Sequence, residues 1–177
     1  MSALADEDYK GYYFRHNPDY LEGFPKEEGM YHPEKYTGCF SRMEIEAFEP
    51  PKNSVLISIT DPDSEVVKLA DYWRAVYFDT FWDTEPIKPD RIRFPELAKL
   101  MPPATDTQIA GIYRFIQDHS TYSIFAHCEA GVSRSAAVRE FLIRRGYVLY
   151  GEKQKNRMIH PNAYILAELE RLDRGED

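Results

Sequence analysis

A histidine, a cysteine, a glycine, two serines and an arginine stand within HCEAGVSRS (127–135), directly after the apolar run YSIFA (122–126). If a strand ends at Ala126 and a helix starts near Arg134, the turn between them aims unpaired backbone N–H groups at one point. The dipole of the helix is also positive there. Such a turn is a cradle for an anion. Gly131 lets the backbone curl without a Cβ in the way, and Arg134 can offer two parallel donors to two phosphate oxygens. Cys128 opens the turn, so its sulfur lies at the floor, where the same N–H groups would stabilise a thiolate. Ser135 could donate its hydroxyl to that sulfur when it leaves. His127 is positioned to order the backbone or the cysteine by hydrogen bonding rather than to act as a base. A cysteine after a strand is commonly no more than a small buried hydrophobe. Six specified residues in the order H-C-x-x-G-x-S-R-S have odds of roughly one in a million in a chain of this size, so chance is the weaker account.

HCEAGVSRS resembles the signature of the cysteine-dependent protein tyrosine phosphatases, H-C-x5-R-[S/T], in the form used by the dual-specificity branch. The resemblance is strong over these residues. It is weaker from SVLISIT (54–60) to the helix expected at 133–145, where the order of elements matches that family's central sheet. It implies a protein tyrosine phosphatase-like fold and a two-step hydrolysis of phosphomonoesters through a cysteinyl-phosphate, with no metal and no cofactor. Carried onto this chain, Cys128 is the nucleophile and Arg134 clamps the phosphoryl group. Glu129, Ala130, Gly131, Val132, Ser133 and Arg134 supply the cradle, and Ser135 helps release the thiolate. Phosphoinositide-directed relatives typically have lysines inside this turn, and RNA-triphosphatase relatives have Asn and Thr around the arginine. The residues here are Glu129, Ala130, Val132, Ser133 and Ser135, so the resemblance implies a phosphorylated protein or peptide as substrate. Phosphotyrosine is preferred, with phosphoserine and phosphothreonine as further options.

Expelling an alkoxide or phenolate needs a proton, and the intermediate then needs a base to activate water, so one carboxyl group should serve both steps. In the resembling family this is an aspartate on a loop after an earlier strand. VYFDTFWDTEP offers Asp79 at a strand end and Asp83 four residues later, both with aromatic neighbours. Asp79 is the expected acid and Asp83 the alternative. Asp90 and Asp106 are weaker candidates, and Asp106 reads better as part of a helix N-terminus.

The elements that must hold these groups are readable from periodicity. SVLISIT is a short β-branched run between Asn53 and Asp61-Pro62, a buried strand. SEVVKLADYW (64–73) suggests a short helix and RAVYF (74–78) the next strand. Residues 79–103 carry five prolines and read mainly as loop, with a helical turn around ELAKL. Ile109, Ile112, Tyr113 and Ile116 share the face of a helix from Thr105 to about His119, and Thr105 and Gln108 have capping-box spacing. YSIFA is a strand. Val138, Phe141, Leu142 and Arg145 share a face of the helix that Gly146 ends. A last helix spans about 162–172, with Pro161 near its first turn. Strands alternating with helices predict an α/β fold, a central, mainly parallel sheet flanked by helices, with ligands bound beyond the carboxyl ends of the strands.

At 177 residues the chain is expected to form one domain, with residues 1–50 as a Tyr- and Pro-rich arm and 51–177 as the catalytic core. Hydrophobic residues at 43% and charged residues at 29% suit a globular protein, and the formal charge of −8 disfavours nucleic acid and anionic membrane as partners. No leader or membrane span is visible, so a cytoplasmic location is expected. The two cysteines, Cys39 and Cys128, and the five histidines show no metal-ligand spacing. Arg144, Arg145, Lys153, Lys155 and Arg157 form a basic stretch that reads as a solvated face or as a lure for acidic substrate flanks. Three other accounts stand beside the protein phosphatase. One is an inactive phosphate-binding module of the same fold, another a phosphatase of a non-protein phosphate. The third is a redox or arsenate-handling enzyme with Cys39 as resolving thiol.

Overall fold

A computed structural model describes residues 12–13, 34–86 and 95–176. Its strands are β1 (Tyr12–Tyr13), β2 (Tyr36–Phe40), β3 (Ser54–Thr60), β4 (Val76–Thr80), β5 (Ser123–His127) and β6 (Val148–Leu149). They form one sheet in the order β1-β4-β3-β5-β2-β6. All neighbours pair parallel except β1, which adds an antiparallel edge to β4. The helices are α1 (Arg42–Ala47), α2 (Pro95–Leu100), α3 (Asp106–Asp118), α4 (Arg134–Arg144), α5 (Glu152–Lys155) and α6 (Ala163–Asp173). The expected α/β class, a parallel sheet with flanking helices, is what the chain adopts.

SVLISIT is buried at every position because both faces of β3 are covered. Val55, Ile57 and Ile59 face a core shared with Ile109, Ile112, Phe115 and Ile116 of α3, Val138, Phe141 and Leu142 of α4, and Ile165 and Leu169 of α6. Leu56 faces a second core with Phe40, Ile45 of α1, Val67, Trp73 and Phe125. The link from β3 to β4 therefore runs over one face of the sheet, and the helix after β5 packs on the other. The crossovers diverge between β3 and β5, and in open α/β sheets ligands bind beyond the carboxyl ends of strands at such a point.

Two expectations need correction. Residues 34–50 are not arm: β2 lies inside the sheet between β5 and β6, and Cys39 is fully buried there. The carboxamide of Gln154 holds both backbone groups of Cys39, at 2.9 and 3.0 Å, and continues the ladder beyond β6. Gly38 permits that approach, because a Cβ there would lie 2.9 Å from Gln154 Cδ. The earlier part of the expected arm lies outside the described residues, apart from β1. Residues 64–73 form no helix. The second core takes Val67 and Trp73, which are six residues apart and would point roughly 120° away from each other on a helix. An irregular segment delivers both. RAVYF is a strand displaced toward the C-terminus as β4, and α3, β5, α4 and α6 match their expected positions within a residue or two. Thr105 and Gln108 form the expected reciprocal capping box. Among the described residues, no helix is long and apolar enough to cross a membrane.

Candidate active site

Cys128 is the first residue beyond β5, and its amide donates to Phe40 O of the adjacent strand at 3.2 Å. From there to α4 the carbonyls are held by donors around the turn. His127 Nδ1 approaches Cys128 O at 3.4 Å, and the amide of Arg42, an open donor at the start of α1, binds Glu129 O at 3.1 Å. Arg157 reaches Ala130 O at 3.5 Å and Gly131 O at 3.0 Å. The amides of His160 and Asn162 bind Val132 O at 2.8 Å and Ser133 O at 3.2 Å. In a trans peptide each carbonyl points opposite the next N–H. Fixing the carbonyls outward therefore turns the amides of residues 129–134 inward. Gly131 N donates to Cys128 Sγ at 3.3 Å. The amides of Glu129, Ala130, Val132, Ser133, Arg134 and Ser135 donate to no acceptor among the described residues. Ser133, the N-cap of α4, makes no side-chain cap, so the positive end of that helix stays open.

The floor is closed. Cys128 is 2% exposed, and its sulfur lies 3.1 Å from Ser135 Oγ. Gly131 takes φ of 71°, and a Cβ on it would run into Phe40, Ser41 and Arg157, so glycine is required at this position. His127 is fully buried, with Nε2 2.6 Å from Ser58 Oγ, the residue paired with it across β3. Burial pushes its pKa down to about 4, against the opposing pull of its contact with Cys128 O. As a neutral ring it can accept from Ser58 and donate to Cys128 O.

Arg134 is 3% exposed, and its Nη1 reaches Asp61 Oδ1 at 2.7 Å and Phe81 O at 2.5 Å. Its Nε is buried with no hydrogen-bond partner. A buried guanidinium with an unused donor beside a ring of unused amides is chemistry suited to an oxyanion. Glu129 Oε1 accepts from Arg42 Nη1 and from Asp61 N, each at 3.4 Å. Burial would raise its carboxyl, but the Ser64 hydroxyl, the Asp61 amide and Arg42 hold it below its ordinary value.

The two aspartates differ in what they touch. Asp79 accepts from Tyr77 Oη, Thr80 N and Gln108 Nε2, each at 2.8 Å, and so bolts β4 to the first turn of α3. None of its partners belongs to the turn. Asp83 accepts from Ser133 Oγ of the turn at 2.8 Å and from Asn162 Nδ2 at 3.1 Å. The structure thus joins the alternative, Asp83, to the cradle and engages Asp79 in the frame. Asp106 accepts from Tyr164 Oη at 3.1 Å at the start of α3, and Asp90 lies outside the described residues. Cys39 lies against Arg139, and burial raises its thiol pKa despite that neighbour. Among the described residues, no three His, Cys, Asp or Glu side chains gather as a metal-binding group.

Asp61, Asn162, Arg42 and Phe81 O also join this arrangement without having been singled out for it in the sequence, and Arg157, read there only as part of a basic stretch, holds two carbonyls of the turn. Asp61 carried a usable signal: it directly follows a buried strand, at the sheet edge where ligands bind. No family model, curated protein or solved structure matches this chain.

Proposed function

We propose that the chain is a cysteine-dependent phosphatase of phosphorylated proteins or peptides, with a mechanism and fold like those of the dual-specificity protein tyrosine phosphatases. Carrying most weight is the ring of amides turned inward around Cys128 Sγ by fixed carbonyls, together with the unpartnered buried Nε of Arg134. These donors suit the three equatorial oxygens of a transferring phosphoryl group. The Cys128 thiolate attacks phosphorus, the S–P bond forms as the ester P–O bond breaks, and the leaving oxygen takes a proton from Asp83. Water then attacks phosphorus and gives its proton to the Asp83 carboxylate. The S–P bond breaks, and phosphate leaves with Ser135 Oγ donating to the restored thiolate. Asp83 fits the acid role better than Asp79 because it touches the turn and carries fewer structural bonds. Preference for phosphotyrosine is supported by the 2% exposure of Cys128, since a phosphoryl group on a long aryl stem reaches such a floor most easily.

The test is hydrolysis of a chromogenic aryl phosphate, with chelator present, by the wild type and by Cys128→Ser across about pH 5 to 7. Turnover is expected in the wild type and loss of it in the variant. Equal rates with retained binding of phosphate analogues would leave a phosphate-binding module instead.

A further inference from the structure

We infer that the phosphorylated segment received here carries lysine or arginine side chains beside its phosphoryl group. This deepens the phosphatase reading for its chemistry, while the recognition it describes can be measured without turnover. Two segments bracket Arg134, since Asp61 Oδ1 and Phe81 O contact the same Nη1. They are DPDSE (61–65) and FWDTEP (81–86), which together hold Asp61, Asp63, Glu65, Asp83 and Glu85 and no cation. Both are tied to the turn. Glu129 Oε1 accepts from Asp61 N at 3.4 Å, Arg42 Nη2 donates to Glu65 O at 2.5 Å, and Ser133 donates to Asp83.

Against these stand Arg134 and Arg42, already paired with Asp61 and Glu129. Two further cations among the described residues, Arg157 and Lys153, both bind Glu44. The basic stretch, read from sequence as a solvated face or as a lure for acidic flanks, is paired likewise. Arg144 pairs with Glu170, Arg145 with Asp173 and Lys155 with Glu152. Asp63 and Glu65 are exposed and have no ion-pair partner among the described residues.

The site therefore combines a cationic floor with an anionic mouth. A phosphate dianion flanked by acidic residues is repelled before it reaches the amides, whereas flanking cations turn the mouth into an attractive funnel. The mouth thus selects by rejection as well as by attraction.

Two synthetic phosphotyrosyl peptides identical except for lysine or glutamate flanks provide the test. Their dissociation constants are measured on Cys128→Ser, and their kcat/KM on the wild type, at about 0.01 M and about 0.15 M ionic strength. The lysine-flanked peptide is expected to win by about tenfold or more at the lower salt on both readouts, with the margin shrinking at the higher salt. Asp63→Lys combined with Glu65→Lys, on the same Cys128→Ser background and checked by thermal denaturation to be folded, should erase most of that margin. Equal binding of the two peptides, preference for the glutamate flanks, or a margin untouched by the double substitution overturns the inference. Absence of turnover with a lysine preference intact in binding would remove the phosphatase reading and leave the inference standing.

Discussion

Asp79→Asn and Asp83→Asn should separate stability from catalysis. Asp79 Oδ1 receives Thr80 N and Gln108 Nε2, and Oδ2 receives Tyr77 Oη, which also donates to Gln108 O at 3.3 Å. Asparagine keeps one acceptor oxygen, and its amide can face the Tyr77 hydroxyl, so the loss is mainly that of charge assistance in three bonds. In this half-buried setting that is roughly 1–2 kcal/mol. Asp79→Asn should lower the urea midpoint by a matching amount and leave the proposed turnover by the folded protein within a few-fold. Asp83 makes two bonds at the edge of the turn, and asparagine preserves an acceptor for Ser133 and Asn162, so the stability cost is smaller. Its loss as proton donor should slow turnover by about 10²-fold or more, equivalent to about 2.7 kcal/mol of barrier. The discriminating assay is a pair of aryl phosphates, one with a good and one with a poor leaving group. A missing acid hurts the poor leaving group more. If Asp79→Asn loses rate as severely as Asp83→Asn, or if Asp83→Asn slows both substrates equally, the assignment of the acid to Asp83 is refuted.

His127 should make stability depend on acid. Its pKa is lowered by burial to about 4 from an ordinary 6.5, so below pH 6.5 the unfolded chain binds a proton that the folded chain refuses. Stability from this group is intact above pH 6.5 and declines as pH falls to about 4, by about 3 kcal/mol in all. Urea unfolding between those limits should reveal that slope, and His127→Gln should flatten it; identical slopes in the two proteins would remove His127 as the cause. Gly131→Ala should abolish turnover and lower the melting temperature. The added Cβ would lie 2.5 Å from Arg157 Nη2 and closer still to Phe40 C and Ser41 N, in a backbone region of positive φ. An alanine variant with near-normal kcat would mean that the turn has room the structure does not give it.

The parts of this molecule legible in sequence are those whose causes are local. α3 was readable because Ile109, Ile112 and Ile116 repeat on one face and Thr105 caps its own helix through Gln108. β2 was not, because Tyr36-Thr37-Gly38-Cys39-Phe40 owes its place to partners far along the chain: β5, β6 and the Gln154 carboxamide. A local signal did exist beside it, the Ser41–Glu44 capping box that starts α1. The choice between Asp79 and Asp83 was invisible for the same reason, since Gln108, Ser133 and Asn162 decide it from other elements. The motif itself divides in the same way. Its atoms able to do chemistry, Cys128 Sγ, Ser135 Oγ and the Arg134 guanidinium, are contiguous in sequence and could be read directly. Its shape comes from elsewhere, because five of the six carbonyls from Cys128 to Ser133 are held by Arg42, Arg157, His160 and Asn162, all outside HCEAGVSRS. Only His127, on Cys128 O, belongs to the stretch. The inward amides are therefore a property of β2, α1 and residues 157–162 as much as of the turn. The same nine residues set between another strand and helix would keep the thiol and lose the ring of inward amides around it.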